Sequence, residues 1–522
     1  VEEGALGGKS GQGFYKKVKE NGKSVILVRD LKTGEYRTKE KVRFASIGKA
    51  RNYDSAEESI RTMLRYDDPG AQLGWSCTAD VLIYSANRVA PDSATARIAD
   101  DIVNVDRGMR WGFGWELGPF ETWDAIGVAD SVKRMLDDGM TVPAWVVEML
   151  ERGRASFYSR DDSGVLTYWD IESSSAKPIP GSDTWLMLPD VVAQGGANRV
   201  THKNDSAQLI DLGDGVACLS FHSKMNALDD NIVLLYDNAL DELEAGKWEA
   251  LVVGNQGGKA FCAGANLMMV GMAAMQKDWG TLETMVSELQ RVLQRAKYCE
   301  RPVVVAPWGL TLGGGAEVAM QCAHTQAGAE LYMGLVEVGV GLIPAGGGCK
   351  EMLSRYLGDI PAGTEYDPNP FVQNAFKGIG LAAVATSAEE ARAMGYLRPT
   401  DRTTLDPDAL IHAAKHAALG LANGGYSPPR KRRFKLPGPS GRAAIELFLY
   451  QMHEGGYATD HDVTVGKKLA YVLTGGDIPN GTWLDEQAIL ELEREAFVSL
   501  CGTQATQDRI QHMLMKGKPL RN

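Results

Sequence analysis

The sequence predicts an α-helical front followed by an α/β domain. Three observations predict it. Residues 76–150 read as helices punctuated by glycines and Pro119. From Ala207 onward, short apolar strands alternate with helices, the mark of an α/β domain. Between the two, Ser173-Ser174-Ser175 and Lys177-Pro178-Ile179-Pro180-Gly181 read as a connector over residues 161–200.

The length of 522 residues predicts two or three domains, and 44% hydrophobic with 23% charged residues is the balance of a globular chain. A net charge of −12 argues against a general nucleic-acid binder, so no nucleic-acid partner is expected. The seven cysteines are scattered and form no CxxC pair, which predicts a reducing compartment rather than a disulfide framework or a zinc site. His324, His453 and His512 show no ligand spacing, and no metal is expected. There is no apolar run long enough to span a membrane and no signal peptide, and Lys518-Pro519-Leu520-Arg521-Asn522 is not an organelle address. The expected location is cytoplasmic.

The front repeats itself. The chain begins at Val1 and runs into Gly7-Gly8-Lys9-Ser10-Gly11-Gln12-Gly13-Phe14-Tyr15, and similar text returns at Gly153-Arg154-Ala155-Ser156-Phe157-Tyr158. Strand-like text follows both, at Gly34-Glu35-Tyr36 and at Gly164-Val165-Leu166-Thr167-Tyr168. Such a likeness predicts a duplicated unit; two unrelated glycine–aromatic hairpins are the alternative. Only the second copy has a long helical stretch before it. Residues 1–40 are therefore expected to be the tail of a unit that begins upstream.

In the helical stretch, Ala79 to Arg88 is apolar and helical in character. Asp106-Arg107-Gly108-Met109 leads to Gly118-Pro119-Phe120 and Asp124-Ala125-Ile126-Gly127. Met109, Gly118, Pro119, Phe120, Asp124 and Gly127 keep a pattern that resembles the C-terminal helical domain of 3-hydroxyacyl-CoA dehydrogenases, with Gly108 where Ala is usual. The Gly-Lys-Ser-Gly-x-Gly-Phe-Tyr opening is similar to the end of such a domain. A dinucleotide site would need GxGxxG after a strand. The nearest text, Gly339-Val340-Gly341-Leu342-Ile343-Pro344, has Pro at the third glycine. The resemblance implies a fusion enzyme whose NAD-binding domain, with its catalytic His–Glu pair, lies outside these residues. NAD and hydride transfer are expected only with that domain.

In the second half, Ala207–Leu212 and Val216–Phe221 read as strands around Gly213-Asp214-Gly215, Asn231–Leu243 as a helix, and Ala250–Gly254 and Pro302–Pro307 as buried strands. The second of these runs into Gly313-Gly314-Gly315-Ala316-Glu317, which opens a helix ending near Cys322. Glycines before a helix let amide N–H groups approach a ligand, and the helix N-terminus favours negative charge. An oxyanion site, a phosphate loop and a plain tight turn all fit, although no Gly-Lys-Ser/Thr follows. Glu317 reads either as a first-turn acid or as an acid–base group. Glu337 is a lone carboxyl in an apolar, glycine-broken stretch. It is either buried with a raised pKa or exposed on an alternating strand.

Together these blocks resemble the crotonase, or enoyl-CoA hydratase/isomerase, superfamily. Lys224-Met225-Asn226-Ala227-Leu228 is similar to the family's segment along the CoA. Lys259-Ala260-Phe261-Cys262-Ala263-Gly264-Ala265-Asn266-Leu267 is similar to its Lys-Ala-Phe-x-Ala-Gly-Ala-Asp-Leu signature, with Asn266 in place of Asp. The Gly313–Glu317 block and Glu337 with Gly341-Leu342-Ile343-Pro344-Ala345-Gly346-Gly347-Gly348 resemble the two later blocks, and the glutamates are spaced as in the hydratases. Leu492-Glu493-Arg494-Glu495-Ala496-Phe497 and the final Gly517-Lys518-Pro519 continue the likeness.

The resemblance implies a crotonase domain, a spiral of ββα turns that forms a homo-oligomer. It implies that the N–H groups of Ala263 and Gly314 form the oxyanion hole, that Glu317 activates water, and that Glu337 exchanges the proton at C2. It also implies that Lys224, Asn226, Ala227, Leu228, Ala265, Asn266 and Leu267 contact CoA or substrate. The activity implied is enoyl-CoA hydration, a reversible syn addition of water to trans-2-enoyl-CoA within a fatty-acid β-oxidation-type fusion, with CoA thioester as substrate and no cofactor. An isomerase of the same fold and a non-catalytic scaffold are the alternatives.

The basic run Arg430-Lys431-Arg432-Arg433 in its Pro/Gly-rich surroundings reads as a solvated loop, or else as a grip on CoA phosphates. Residues 441–453 and 484–516 read as amphipathic helices, with Ile489, Leu492, Ala496 and Leu500 on one face. The expected organisation is a tail and arm over 1–70, a dehydrogenase-like helical domain and connector over 71–200, a crotonase core over 201–400, a Pro/Gly/basic insertion over 401–440, and C-terminal helices over 441–522.

Overall fold

The structure is a computed structural model that describes residues 4–20, 23–53, 55–90, 97–181, 185–358, 360, 361 and 363–522. Val1 and part of the connector expected over 161–200 lie outside the described residues. Contacts divide the chain into two compact units, Val1–Ser156 and Phe157–Asn522.

The first unit opens with an antiparallel meander of the strands Tyr15–Glu20, Lys23–Arg29 and Tyr36–Thr38. Helices follow over Ala45–Ala50, Ala56–Leu64, Pro69–Val89, Ile102–Phe113, Pro119–Ile126, Val128–Asp137 and Ala144–Glu151. Three start on a side-chain cap: Ser55, Asp68 and Asp101 each accept an N–H of the first turn. Two helices thus lie within residues 1–70, where a tail and arm were expected. The signal for Ala56–Leu64 was the cap Ser55 with Glu57 and Glu58 in the first turn; Ala45–Ala50 starts at Phe44 with no side-chain cap. Leu82, Phe120, Trp123, Met135 and Met149 fill the core.

The Gly-Pro-Phe turn has a specific anchor. Gly114 ends one helix in the left-handed conformation, and Pro119 begins the next at its first position. Buried Asp106 reaches across: its Oδ1 accepts the Phe120 N–H at 2.8 Å and its Oδ2 the Glu121 N–H at 3.1 Å. A Cβ at Gly118 would collide with Asp106, so only glycine fits there. Replacing Asp106 by Ala leaves two first-turn amides buried without this acceptor. The Asp106→Ala variant is expected to lower unfolding free energy by about 1–3 kcal/mol. Thermal unfolding followed by circular dichroism checks this; an unchanged melting temperature contradicts it.

The second unit opens with the other meander, Tyr158–Arg160, Leu166–Asp170 and Ser175–Pro178. The Phe157 carbonyl accepts the Trp169 N–H at 2.7 Å, as the Phe14 carbonyl accepts the Arg29 N–H at 2.8 Å. The two similar sequence passages therefore build the same local structure.

The rest of this unit is the ββα spiral. One sheet has seven strands in the order 402–404, 324–328, 303–306, 250–254, 216–221, 207–211, 200–203. It is parallel from Arg402–Thr404 to Val216–Phe221 and antiparallel beyond. A second, parallel sheet is made by Ala260–Cys262, Gly309–Leu312 and Leu331–Gly334. Three successive turns give one strand to each sheet: Ala250–Gly254 with Ala260–Cys262, Val303–Ala306 with Gly309–Leu312, and His324–Gly328 with Leu331–Gly334. The central strands, such as Ala250–Gly254 and Val303–Ala306, are buried throughout, which is why they read as continuous apolar runs.

Residues 401–440, expected as an insertion, contain the helix Leu410–Asn423. Its Leu410, Ile411, Ala414 and Ala418 pack on Ile210, Val216, Val252 and Val304 of the large sheet. Their helical spacing was present in the sequence but lay in an alanine-rich stretch. Of the basic run, Arg430, Lys431 and Arg432 lie in a loop as expected, and Arg433 opens a strand. Arg433–Leu436 is a strand paired with Thr482–Asp485, and its Phe434 and Leu436 are buried.

Candidate active site

Gly313 links the strand Gly309–Leu312 to the helix Gly314–Met320 with a positive φ of 52°, a conformation suited to glycine. A Cβ at Gly315 would strike the Cys262 carbonyl, so this helix closes to backbone contact with the end of the strand Ala260–Cys262. This places Glu317 in the first turn, only 3% exposed. Its Oε1 accepts the Gly348 N–H at 2.7 Å. Burial pushes its pKa up to about 7, against the N–H groups of Gly348 and Gly346 and the Lys350 ammonium.

Glu337 lies on a 3₁₀ turn, Glu337–Val340, and not on an alternating strand. Its Oε2 is shut off from solvent and has no hydrogen-bond partner among the described residues. Its Oε1 stands 3.0 Å from where a Gly313 Cβ would be, so the glycine turn under Glu317 also makes room for Glu337. Burial first, and the charge of Glu317 second, hold the Glu337 pKa well above the usual carboxylate range. Two carboxyls that sense each other in this way titrate as a pair.

The backbone donors differ from expectation at one position. The Ala263 N–H donates to the Met225 carbonyl at 3.2 Å and is therefore engaged. The amide beside Gly314 is that of Ala265: a Gly314 Cβ would lie 3.5 Å from the Ala265 nitrogen. Neither the Ala265 nor the Gly314 N–H has a backbone acceptor among the described residues. Ala265 is exposed and Gly314 buried, so this pair of donors faces accessible space from one side.

The remaining expected residues gather on the same loops. Met225 and Asn226 both have positive φ, which turns the segment Lys224–Leu228 against Ala263–Asn266. The Asn226 side chain donates to the Ala260 carbonyl at 2.8 Å, and the Ala227 carbonyl accepts from Ser223 Oγ at 2.7 Å. The Leu228 N–H meets the Gly264 carbonyl at 2.8 Å, and the Asn266 N–H meets the Leu228 carbonyl at 2.9 Å. Lys224 is exposed at the edge. Asn266 caps the helix Leu267–Met275 through the Met268 and Met269 amides, a task an Asn performs as well as an Asp.

Sequence reasoning missed a third carboxyl near the pair. Glu493 is fully buried, and its Oε1 accepts the Lys350 N–H at 2.7 Å. It stands on the buried face with Ile489, Ala496 and Leu500, while Leu492, expected on that face, is half-buried. The spacing of 489, 493, 496 and 500 was the available signal. Beside it, Lys350 and Lys297 bind Glu351, with Lys297 Nζ at 2.7 Å. Glu351 is held below the usual carboxylate range by those two lysines.

The raised pKa of Glu317 has a consequence for stability. Between its ordinary value of 4.5 and about 7, the unfolded chain releases a proton that the folded chain keeps. Stability from this group is full below 4.5 and is lost as pH rises to about 7. Glu317→Gln is expected to be more stable than the wild type at pH 8, by about 1–3 kcal/mol, and to lose that advantage near pH 4.5. Urea unfolding at the two pH values checks the sign.

A family model described as enoyl-CoA hydratase/isomerase matches residues 215–364. The chain is 41% identical over all its 522 residues to a "Probable 3-hydroxyacyl-CoA dehydrogenase" of Bacillus subtilis (strain 168), of which it covers 63%. It is 28% identical over 197 residues to a "Short-chain-enoyl-CoA hydratase" of Clostridium acetobutylicum, covering 37% of this chain and 66% of that one. Among solved structures, a carnitinyl-CoA dehydratase from Mycobacterium thermoresistibile aligns with 60% of this chain and 91% of its own, at 15% identity and a TM-score of 0.45. The chain spans 63%, 44% and 44% of the length of three curated relatives it matches. The crotonase-type spiral of the second unit, with a helical unit before it, is the architecture that the family model and the strand order describe.

Proposed function

We propose that the second unit is an enoyl-CoA hydratase that adds water reversibly and syn to trans-2-enoyl-CoA, giving 3-hydroxyacyl-CoA. The observation that carries the reading is the placing of two carboxyls at one glycine turn: Glu317, buried in the first helical turn after Gly313, and Glu337, whose Oε1 faces Gly313 and whose Oε2 is shut off from solvent. In this reading Glu317 takes the proton of the attacking water, and Glu337 gives a proton to C2.

Addition at C3 drives charge onto the thioester oxygen. The free N–H groups of Ala265 and Gly314 support its stabilisation there, and donors of this kind contribute about 2.7–4 kcal/mol each. Lys224, Asn226, Ala227 and Leu228, with Asn266 and Leu267, form the wall along which CoA is expected to lie, and CoA is bound as substrate. The reaction needs no cofactor. We assign the helical front to a 3-hydroxyacyl-CoA dehydrogenase that uses NAD within a longer fatty-acid-oxidation protein, a reading supported by the likeness over the full chain to the Bacillus subtilis relative. The assembled protein is expected to be a homo-oligomer.

An isomerase of the same fold would act on 3-enoyl substrates. Ultraviolet absorbance separates the two. The hydratase bleaches the conjugated thioester of a trans-2-enoyl-CoA. An isomerase instead creates that absorbance from a 3-enoyl-CoA, and that result without bleaching of the 2-enoyl substrate would displace the hydratase reading.

A further inference from the structure

Glu493 takes no part in the chemistry above, yet it shares a turn with Glu317. The amides of Gly346 and Gly348 face Glu317, with the Gly348 N–H at 2.7 Å. The amides of Gly347 and Lys350 face Glu493, with the Lys350 N–H at 2.7 Å. Gly347 has a positive φ of 110°, which lets successive amides point to opposite sides of the turn. The turn has no slack. A Cβ at Gly346 would come within 2.6 Å of Glu317 Oε2, and one at Gly348 within 2.9 Å of its Oε1. Glu493 Oε2 is shut off from solvent and has no partner among the described residues.

We propose that Glu493 is a positioning residue that, by accepting the Lys350 N–H, holds the Gly346–Lys350 turn so that its amides grip Glu317; the proposal rests on the hydratase reading. The charged groups that bear most on Glu493 are Glu317, from the helix Gly314–Met320, and Lys350, from the helix Gly348–Leu357; the Cys349 thiol feels Glu493 in turn. Lys350 Nζ is committed to Glu351 and to Gln321 Oε1 at 2.9 Å. Lys297, from the helix Trp279–Tyr298, is committed to Glu351, and Arg494 on Glu493's own helix meets Glu283 and Gln290. No cation is paired with Glu493 among the described residues. Burial and the nearby Glu317 then favour the protonated form. A neutral carboxyl can accept the two amide N–H groups without adding a second charge beside the base.

Two variants test this. Glu493→Gln keeps a neutral acceptor and is expected to hold kcat within about threefold of wild type, with the acid limb of the pH profile unmoved. Glu493→Leu removes the acceptor. Its kcat is expected to fall by about tenfold or more with KM little changed, because only the grip on Glu317 is loosened. Its acid limb should move to higher pH, since a carboxylate that loses N–H donors ionises less readily. A purely structural role would lower the folded fraction without moving that limb. A tenfold loss in the Gln variant overturns the proposal, as does a wild-type kcat and limb in the Leu variant. If the Leu variant does not fold, the Gln variant still decides whether charge at 493 is required. Infrared titration of the carboxyl bands, with Glu317 assigned by its Gln variant, reads the Glu317 pKa without turnover. Absence of hydration in the wild type would therefore fail the hydratase reading, and an unmoved Glu317 pKa in the Leu variant would separately fail this one.

Discussion

Glu317→Gln is expected to slow hydration of crotonyl-CoA by about 10²–10⁴-fold, the range a positioned general base contributes. The reason is geometric. Glu317 is buried in the first turn of its helix, and its pKa is raised to about 7, so that near neutral pH it can take a proton from water. A Gln has the same shape and can still accept the Gly348 N–H, so the fold and KM should survive. The loss should fall on kcat. The wild type should gain activity as pH rises through about 7, because the ionised form is the base. The Gln variant should lack that limb. Steady-state kinetics across pH, with circular dichroism as the control for folding, check all three statements.

Glu337→Gln is expected to cause a loss of similar size by a different route. Burial first, and the Glu317 charge second, oppose the ionisation of Glu337. Its Oε2 has no partner among the described residues, and in the proposed reading its carboxyl supplies the proton to C2. A Gln amide carries no transferable proton. Hydration should fall, and exchange of the C2 hydrogen with solvent deuterium should fall with it. In Glu317→Gln, C2 exchange on the saturated product should fall less than hydration does. Equal exchange in the wild type and Glu337→Gln would remove Glu337 from its role.

Much of this site is legible in the sequence because its parts are local. The glycines at 313–315 and Glu317 form one short strand-to-helix turn, and the amide cap that Asn266 provides is set within three residues. What was not legible depends on contacts between distant segments. Ala263 and Ala265 look alike in the signature. Only the left-handed residues Met225 and Asn226 bring a carbonyl onto the Ala263 N–H and leave the Ala265 N–H free. Glu493 meets Lys350 across 143 positions of chain, so no local pattern announces the pairing. The helix Leu410–Asn423 was hidden because alanines fill much of its buried face, and alanine signals burial weakly.

The central claim is that Glu317 and Glu337 act together on one water at an enoyl thioester. It is tested most directly by incubating the protein with crotonyl-CoA in deuterium oxide and reading the product by NMR, for the wild type and for both Gln variants. The account predicts 3-hydroxybutyryl-CoA with a single deuteron at C2 in the wild type and almost none in either variant. A wild-type chain that leaves crotonyl-CoA unhydrated, or a variant that hydrates it at the wild-type rate, would contradict the account.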